Sequence, residues 1–431
     1  MVAASRSLLV AVLLALVSAA PARGENWPGW RGPSGDGVSS EKGLPLKWGE
    51  GSNIAWKLVL PGEGASSPAI WGEAIFVTSQ DGEDLLLHRI SKRQGKIEWT
   101  RKVGTGTVRR KAERGEQKFN DLHNLASPTP ATDDDVVIAH FGNGDLAAYN
   151  FDGKRLWRRN LQQDHGKYTI WWGHANSPVL YKDLVISVCM QDSLADLGKE
   201  KALSYLVAHD KRTGERKWLR ERKTSASSEE CDSYTTPIFH KGKDRVEMIV
   251  AGANQLDAYD PATGKQLWYL STPHRGRTIT GPTIADGVVY YAQGMRGPVL
   301  AVKAGGIGKL SDKAIVWRHT EGAPDSSWPV VCKDLLFWVS EDGIANCLDA
   351  HTGELKWKER LSRNYKASPI AADGRVYFLD VDGLCTVVAA TPKFEVLARN
   401  KLGQGTLASL AVADGRIYLR SRKALYCIGG K

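Results

Sequence analysis

Ala258-Tyr259-Asp260-Pro261-Ala262-Thr263-Gly264-Lys265-Gln266-Leu267-Trp268 is a phrase that this chain repeats. It returns as Ala208-His209-Asp210-Lys211-Arg212-Thr213-Gly214-Glu215-Arg216-Lys217-Trp218. It returns again as Cys347-Leu348-Asp349-Ala350-His351-Thr352-Gly353-Glu354-Leu355-Lys356-Trp357. Looser copies end at Trp99, Trp157 and Trp317. Recurrence every ~40 to 60 residues marks a repeat architecture rather than a row of independent domains.

Each unit reads as four short strands. A small residue and a proline open most units: Ser67-Pro68, Ser127-Pro128, Ser177-Pro178, Thr236-Pro237, Gly281-Pro282, Trp328-Pro329 and Ser368-Pro369. Proline suits the first residue of a strand, where no amide donor is missed. Asp286-Gly287, Asp373-Gly374 and Asp414-Gly415 then sit between runs of β-branched and aromatic residues, which is a hairpin signal. The Thr-Gly turn needs a positive φ that glycine supplies at Gly264. The preceding Asp can accept the turn amides, and the closing Trp can fill the wedge between neighbouring sheets.

Repeated four-stranded units predict an all-β fold, an eight-bladed β-propeller of antiparallel blades. The eighth unit starts near Ser409 and ends at Cys427-Ile428-Gly429 after three strands, without a Trp. Asn53-Ile54-Ala55-Trp56-Lys57 has the form of the missing outer strand, so an N-terminal strand is expected to complete the last blade and close the ring. In the seventh unit Leu397 is expected to replace the Trp.

Arg6, the apolar run Leu8 to Val17 and the small residues Ser18, Ala19 and Ala20 have the layout of a secretory signal. The organisation read from the sequence is therefore a signal peptide over 1–24, an N-terminal extension over 25–52 and the propeller over 53–431. Removing Arg6 and Arg23 takes the formal charge from +10 to +8, that is +10 − 2. The one dense basic cluster is Arg109-Arg110-Lys111 with Arg114 and Lys118. No nucleic-acid-binding module is present, and no later stretch is apolar enough to span a membrane. Cys189, Cys231, Cys332, Cys347, Cys385 and Cys427 show no paired spacing. Cys347 and Cys427 take the strand slot held elsewhere by alanine and read as small buried hydrophobes.

The Ala-x-Asp-x-x-Thr-Gly-x-x-x-Trp phrase resembles the PQQ-type, quinoprotein-like β-propeller repeat, over roughly residues 50 to 430. One branch of that family is the lipid-anchored outer-membrane assembly protein of the BamB type, a non-catalytic scaffold. Another is the quinoprotein dehydrogenases, which use pyrroloquinoline quinone (PQQ) and calcium. Asn26-Trp27-Pro28-Gly29-Trp30-Arg31-Gly32-Pro33 looks like the leader of secreted bacterial members without an established activity. The vicinal Cys-Cys pair of the alcohol-oxidising branch and the anchoring Cys of the BamB branch are both missing.

Propellers bind at the mouth of the central channel, so the loops entering each innermost strand are the candidate site. They supply Asp121, His123, Asn124, Trp171, Trp172, His174, Asn176, Tyr234, Arg277, Trp328, Arg363 and Tyr365. His123 and His174 have a plain structural reading as hydrogen-bonding partners of neighbouring blades. A metal held by His123, His174 and Asp121 has no spacing to fix its geometry, and no metal ligand or catalytic residue is assigned. The reading favoured is an exported, monomeric, non-catalytic propeller that binds a protein or polymer in the periplasm or cell envelope. The alternatives are a PQQ-dependent oxidoreductase with an altered pocket, for which PQQ and calcium are the cofactors, and a polysaccharide binder using the Trp-rich rim.

Overall fold

The computed structural model describes residues 24–113, 116–191, 203–274, 276–294 and 297–430. The expected signal peptide and the 192–201 insertion lie outside them, apart from Gly24. Eight sheets of four antiparallel strands follow one another around a ring, an eight-bladed β-propeller. In blade four the strands are Ile238–Lys241, Val246–Gly252, Gln255–Tyr259 and Gln266–Ser271, running from the channel outward.

The expected closure is present. Ile54–Val59 pairs antiparallel with Ala424–Ile428, placing Trp56 opposite Cys427 and Lys57 opposite Tyr426. Trp56 packs 6.1 Å from Tyr418, between the ring centroids.

The repeat phrase works as a latch between blades. The outer-strand Trp of one blade donates its indole N–H to a backbone carbonyl in the next blade's turn. Trp56 reaches Lys92, Trp99 reaches Phe151, Trp157 reaches Lys211, Trp218 reaches Pro261 and Trp317 reaches Ala350, all within 2.8–3.2 Å. The turn glycine then lies under the same ring. A Cβ on Gly214 would come 2.6 Å from Trp157, and one on Gly264 would come 2.6 Å from Trp218. Glycine is therefore required twice, for a φ near 70° and for the bare Cα. Blade five has no Thr-Gly turn, and there Trp268 donates to the buried Glu247 carboxylate instead.

Two sequence expectations shift. In blade seven Val387 pairs with Ala398, so Ala398 and not Leu397 occupies the Trp slot. In blade two the innermost strand starts at Ala131, and the opening pair is Thr129-Pro130 rather than Ser127-Pro128. Two consecutive X-Pro pairs made both registers look equivalent; hydrogen bonding selects one. The Ser67 amide donates to Thr129 Oγ1 and the Thr129 amide to Ser177 Oγ.

That pattern runs around the channel. Ser177 N donates to Thr236 Oγ1, Trp328 N to Ser368 Oγ, Ser368 N to Ser409 Oγ, and Ser409 N to Ser67 Oγ, at 3.0–3.1 Å. Hydroxyls of the opening residues thus stitch neighbouring innermost strands, across the closure as well. The two steps without this stitch involve Gly281, whose missing side chain makes room for the Trp328 ring. None of the six cysteines is in a disulfide, and Cys347 and Cys427 are fully buried.

Candidate functional site

The N-terminal segment closes one end of the channel. Val38–Ser39 adds a parallel strand on the inner edge of blade seven. Upstream, Trp27 exchanges backbone hydrogen bonds with Ile70, and Pro28 accepts from Thr132. Arg31 is buried and donates to the carbonyls of Asp36, Pro329 and Pro369. Burial lowers its pKa to about 10, against the pull of the nearby Asp36 carboxylate. Trp30 then meets Trp328 edge-on, with centroids 5.7 Å apart. Through these contacts and those of Gly35, Asp36 and Gly37, the segment touches the inner strands or openings of six blades.

What remains is a cup of about 300 Å³, open toward the loops that enter the innermost strands. Its floor is Trp30, Trp328 and the hydroxyl ring. Its wall is a second ring, each member two residues before a member of the first, because a strand presents every second residue to one side. Ala65, Ser127 and Ala175 make one small-residue arc; Tyr234, Ile279, Ser326, Lys366 and Leu407 make the bulkier remainder. Asn120, Leu122, His123, Trp172 and Arg277 form the rim.

The charges on this lining are matched. Arg277 lies 3.0 Å from Asp325 and 4.0 Å from Glu229. Lys366 bonds Glu341 at 2.6 Å, and the Ser326 hydroxyl donates to the same carboxylate. Among the described residues, no lining side chain is itself an Asp or Glu. The channel hydroxyls are engaged by amides of adjacent blades. The surface left for a ligand is mainly aromatic and aliphatic, with Asn120, His123 and the serine hydroxyls as its polar points.

The rim is braced from both sides. Trp172 N donates to Tyr234 Oη at 3.0 Å, Trp172 Nε1 to Glu229, and Trp171 N to Asp232. His123 Nε2 lies 2.8 Å from the Trp172 carbonyl, and Nδ1 lies 2.9 Å from Ser127 Oγ. Burial lowers the His123 pKa, the Trp172 carbonyl opposing it, so a neutral imidazole donates through Nε2. Burial also raises the Tyr234 phenol well above its ordinary value. Lys118 stands 4.3 Å above the Trp171 ring and 4.6 Å above the Trp172 ring, a cation–π contact that covers both.

Of the residues expected at the site, the cup thus gathers His123, Trp172, Tyr234, Arg277 and Trp328. Trp171 sits beside it under Lys118. Asp121 is exposed next to Arg110, and Arg363 is exposed away from the lining. Asn124 bonds Glu63 O and Ala126 N; Asn176 bonds the carbonyls of Ser233 and Thr235. His174 is fully buried between Tyr168 and His140 and donates to Val188 O. Tyr365 is buried and bonds Ser362. Arg114 of the basic cluster lies outside the described residues. The lining that the sequence reading missed, Ala65, Ser127, Ala175, Ile279, Lys366 and Leu407, becomes legible once each opening residue is aligned and two are subtracted.

The family model described as outer membrane protein assembly factor BamB matches residues 38–229, 202–306 and 303–393. The chain belongs to this BamB family. Among solved structures, BamB from Moraxella catarrhalis superimposes with a TM-score of 0.62 at 15% identity, covering 88% of this chain and 99% of that one. The quinohemoprotein alcohol dehydrogenase from Comamonas testosteroni gives a TM-score of 0.65 at 14% identity, covering 96% and 82%. A europium-containing methanol dehydrogenase gives 0.68 at 12%, covering 91% and 89%. At these identities the likeness is one of fold. No curated protein matches the sequence.

The dehydrogenase neighbours raise the question of whether a quinone and calcium suit this BamB-family cup. Pyrroloquinoline quinone is a planar tricarboxylate, and calcium takes about six to eight oxygen ligands, several from carboxylates. Among the described residues, both lining cations are already held by carboxylates, and the lining offers no carboxylate of its own. The residues fit that pair poorly. Among the described residues, no helix is long and apolar enough to cross a membrane.

Proposed function

We propose that this chain is a non-catalytic binding propeller of the cell envelope, exported by its N-terminal segment, whose cup seats an apolar or aromatic side chain of a protein partner. The observation that carries this reading is the neutralised lining: Arg277 and Lys366 are paired with carboxylates, and Trp30, Trp172, Trp328, Tyr234, Ile279 and Leu407 provide most of the apolar contact surface. A concave aromatic pocket with few polar groups favours an apolar anchor, and such anchors carry most of the energy of protein recognition. The family description, an outer membrane protein assembly factor, supports a partner in the envelope.

The test is a fluorescence titration with peptides copied from aromatic-rich strands of outer-membrane barrels. Binding should weaken about tenfold or more in Trp172→Ala and Leu122→Asp, as expected for loss of a central anchor. Equal affinity of the wild type and both variants would overturn the reading.

A further inference from the structure

A second chemistry lies away from the cup, where blades two and three meet. The outer strand of blade two, Arg155–Asn160, runs straight into the one-turn helix Leu161–His165. The Asn160 side chain accepts the amides of Gln162 and Gln163, and Gly166 at φ 100° ends the turn. This capped turn fixes Asp164 and His165 against His209, on the third strand of blade three, Tyr205–Asp210. One ligand atom from each of Asp164, His165 and His209 lies within 4.8 Å of the other two.

Two further observations point to a ligand. Both ring nitrogens of His209 and Nε2 of His165 are buried without a hydrogen-bond partner, and His209 is fully buried. Buried polar groups are bonded in nearly all folded proteins, so three orphaned nitrogens at one spot need an explanation. Blades two, four and six place Tyr149, Tyr259 and Leu348 at the position of His209. Its ring packs on Trp157 at 6.4 Å as Tyr149 packs on Trp99 at 6.3 Å, which accounts for a ring at this position but not for two unpartnered nitrogens on it. Arg159 Nε donates to Asp164 Oδ2 at 2.8 Å. That bond orients the carboxylate and leaves it lone pairs to offer. The Asp164 side is exposed, giving an ion a way in.

We propose that Asp164, His165 and His209 form a binding site for one divalent cation of the zinc class, with its remaining coordination positions open to water. Two imidazoles and one carboxylate are borderline nitrogen and oxygen donors, which suit Zn²⁺ and its neighbours and not calcium or magnesium. Arg159 and Arg216 place positive charge near the same imidazoles, so binding is moderate and removal of the exposed Arg216 strengthens it.

The full chain, treated with a chelator and dialysed, is titrated with Co²⁺ as a spectroscopic stand-in for Zn²⁺. The proposal expects visible ligand-field bands saturating at one equivalent and bleached by Zn²⁺. His209→Gln should weaken binding at least about tenfold, and Arg216→Gln should tighten it about two- to fivefold. His165→Ala, at a half-buried position, should also weaken binding about tenfold. It keeps the test decisive if His209→Gln does not fold. Absence of the bands, or equal Co²⁺ affinity in the wild type and His165→Ala, overturns the proposal.

Discussion

The indole of Trp48 lies stacked on Tyr377, with centroids 6.4 Å apart and planes 20° from parallel. In other blades the equivalent aromatic packs against the blade's own outer-strand Trp, as Tyr290 does with Trp317 and Phe337 with Trp357. Blade seven has Ala398 in that slot. The N-terminal segment therefore donates one indole to blade seven through Trp48 and another to blade eight through Trp56. It closes the ring in two places.

Replacing Trp48 by Ala should cost about 3–5 kcal/mol, the range for truncating a buried Trp. Trp48 is 5% exposed and belongs to the core shared by blades seven, eight and one. Leu397→Ala, at a partly exposed position outside the slot, should cost less than about 2 kcal/mol. Urea denaturation of both variants checks the order; a larger loss for Leu397→Ala would return that residue to the slot.

The latch predicts unequal costs for one chemical change at two turn glycines. Gly287 has φ 75° and open space where a Cβ would stand, whereas Gly214 has φ 72° and faces the Trp157 ring. Gly287→Ala should cost about 1–2 kcal/mol for the left-handed backbone alone. Gly214→Ala should add about 1–3 kcal/mol for the clash. Equal losses in denaturant melts would show that the ring does not depend on the bare Cα.

Acid should weaken the fold before the carboxylates titrate. Burial, together with Arg420, lowers the His88 pKa to about 4, and burial lowers that of His140 to about 4. Unfolded histidine titrates near 6.5, so between pH 6.5 and 4 the unfolded chain binds more protons and stability falls as pH falls. Each group contributes at most about 1.4 kcal/mol per pH unit in that window. Melting temperature measured from pH 7 to 5 should drop, and His140→Phe should flatten the profile. A flat wild-type profile would mean that these imidazoles are charged in the fold.

Arg31 pins the channel floor through three carbonyls on three segments. Arg31→Ala should release residues 26–39 while leaving the blades paired. Hydrogen exchange should accelerate at Trp27 and Gly37, whose amides bond Ile70 O and Arg31 O, and remain slow at Val250 in the second strand of blade four. Uniform acceleration would instead make the segment part of the global unfolding unit.

The sequence made the architecture legible because the repeat couples turn, strand and wedge into one phrase, so three clear copies fix the period. It also made the closure legible, since Trp56 has the form of the strand that the last unit lacks. Register within a unit was harder. Ser127-Pro128 and Thr129-Pro130 satisfy the same local rule, and only the neighbouring blade's amide distinguishes them. Leu397 resembled a wedge residue by volume, while pairing places Ala398 there and brings the indole from 350 positions upstream, the difference between 398 and 48. The cup was legible in part. His123, Trp172 and Tyr234 announce themselves as unusual loop residues, but Ala65, Ala175 and Leu407 carry no chemical signal and matter only through their place in the ring. His209 hid within the repeat phrase, where its neighbours Ala208 and Asp210 are ordinary members.

Among the described residues, the cup's two cations, Arg277 and Lys366, are already paired with carboxylates, which suits a charged quinone poorly. Thermal melts of the full chain with excess pyrroloquinoline quinone and calcium test this most directly, because a ligand bound only by the folded state raises the midpoint. The expected result is an unchanged melting temperature and no dye-linked alcohol oxidation. A saturable rise of several degrees, lost in Arg277→Ala, would contradict it.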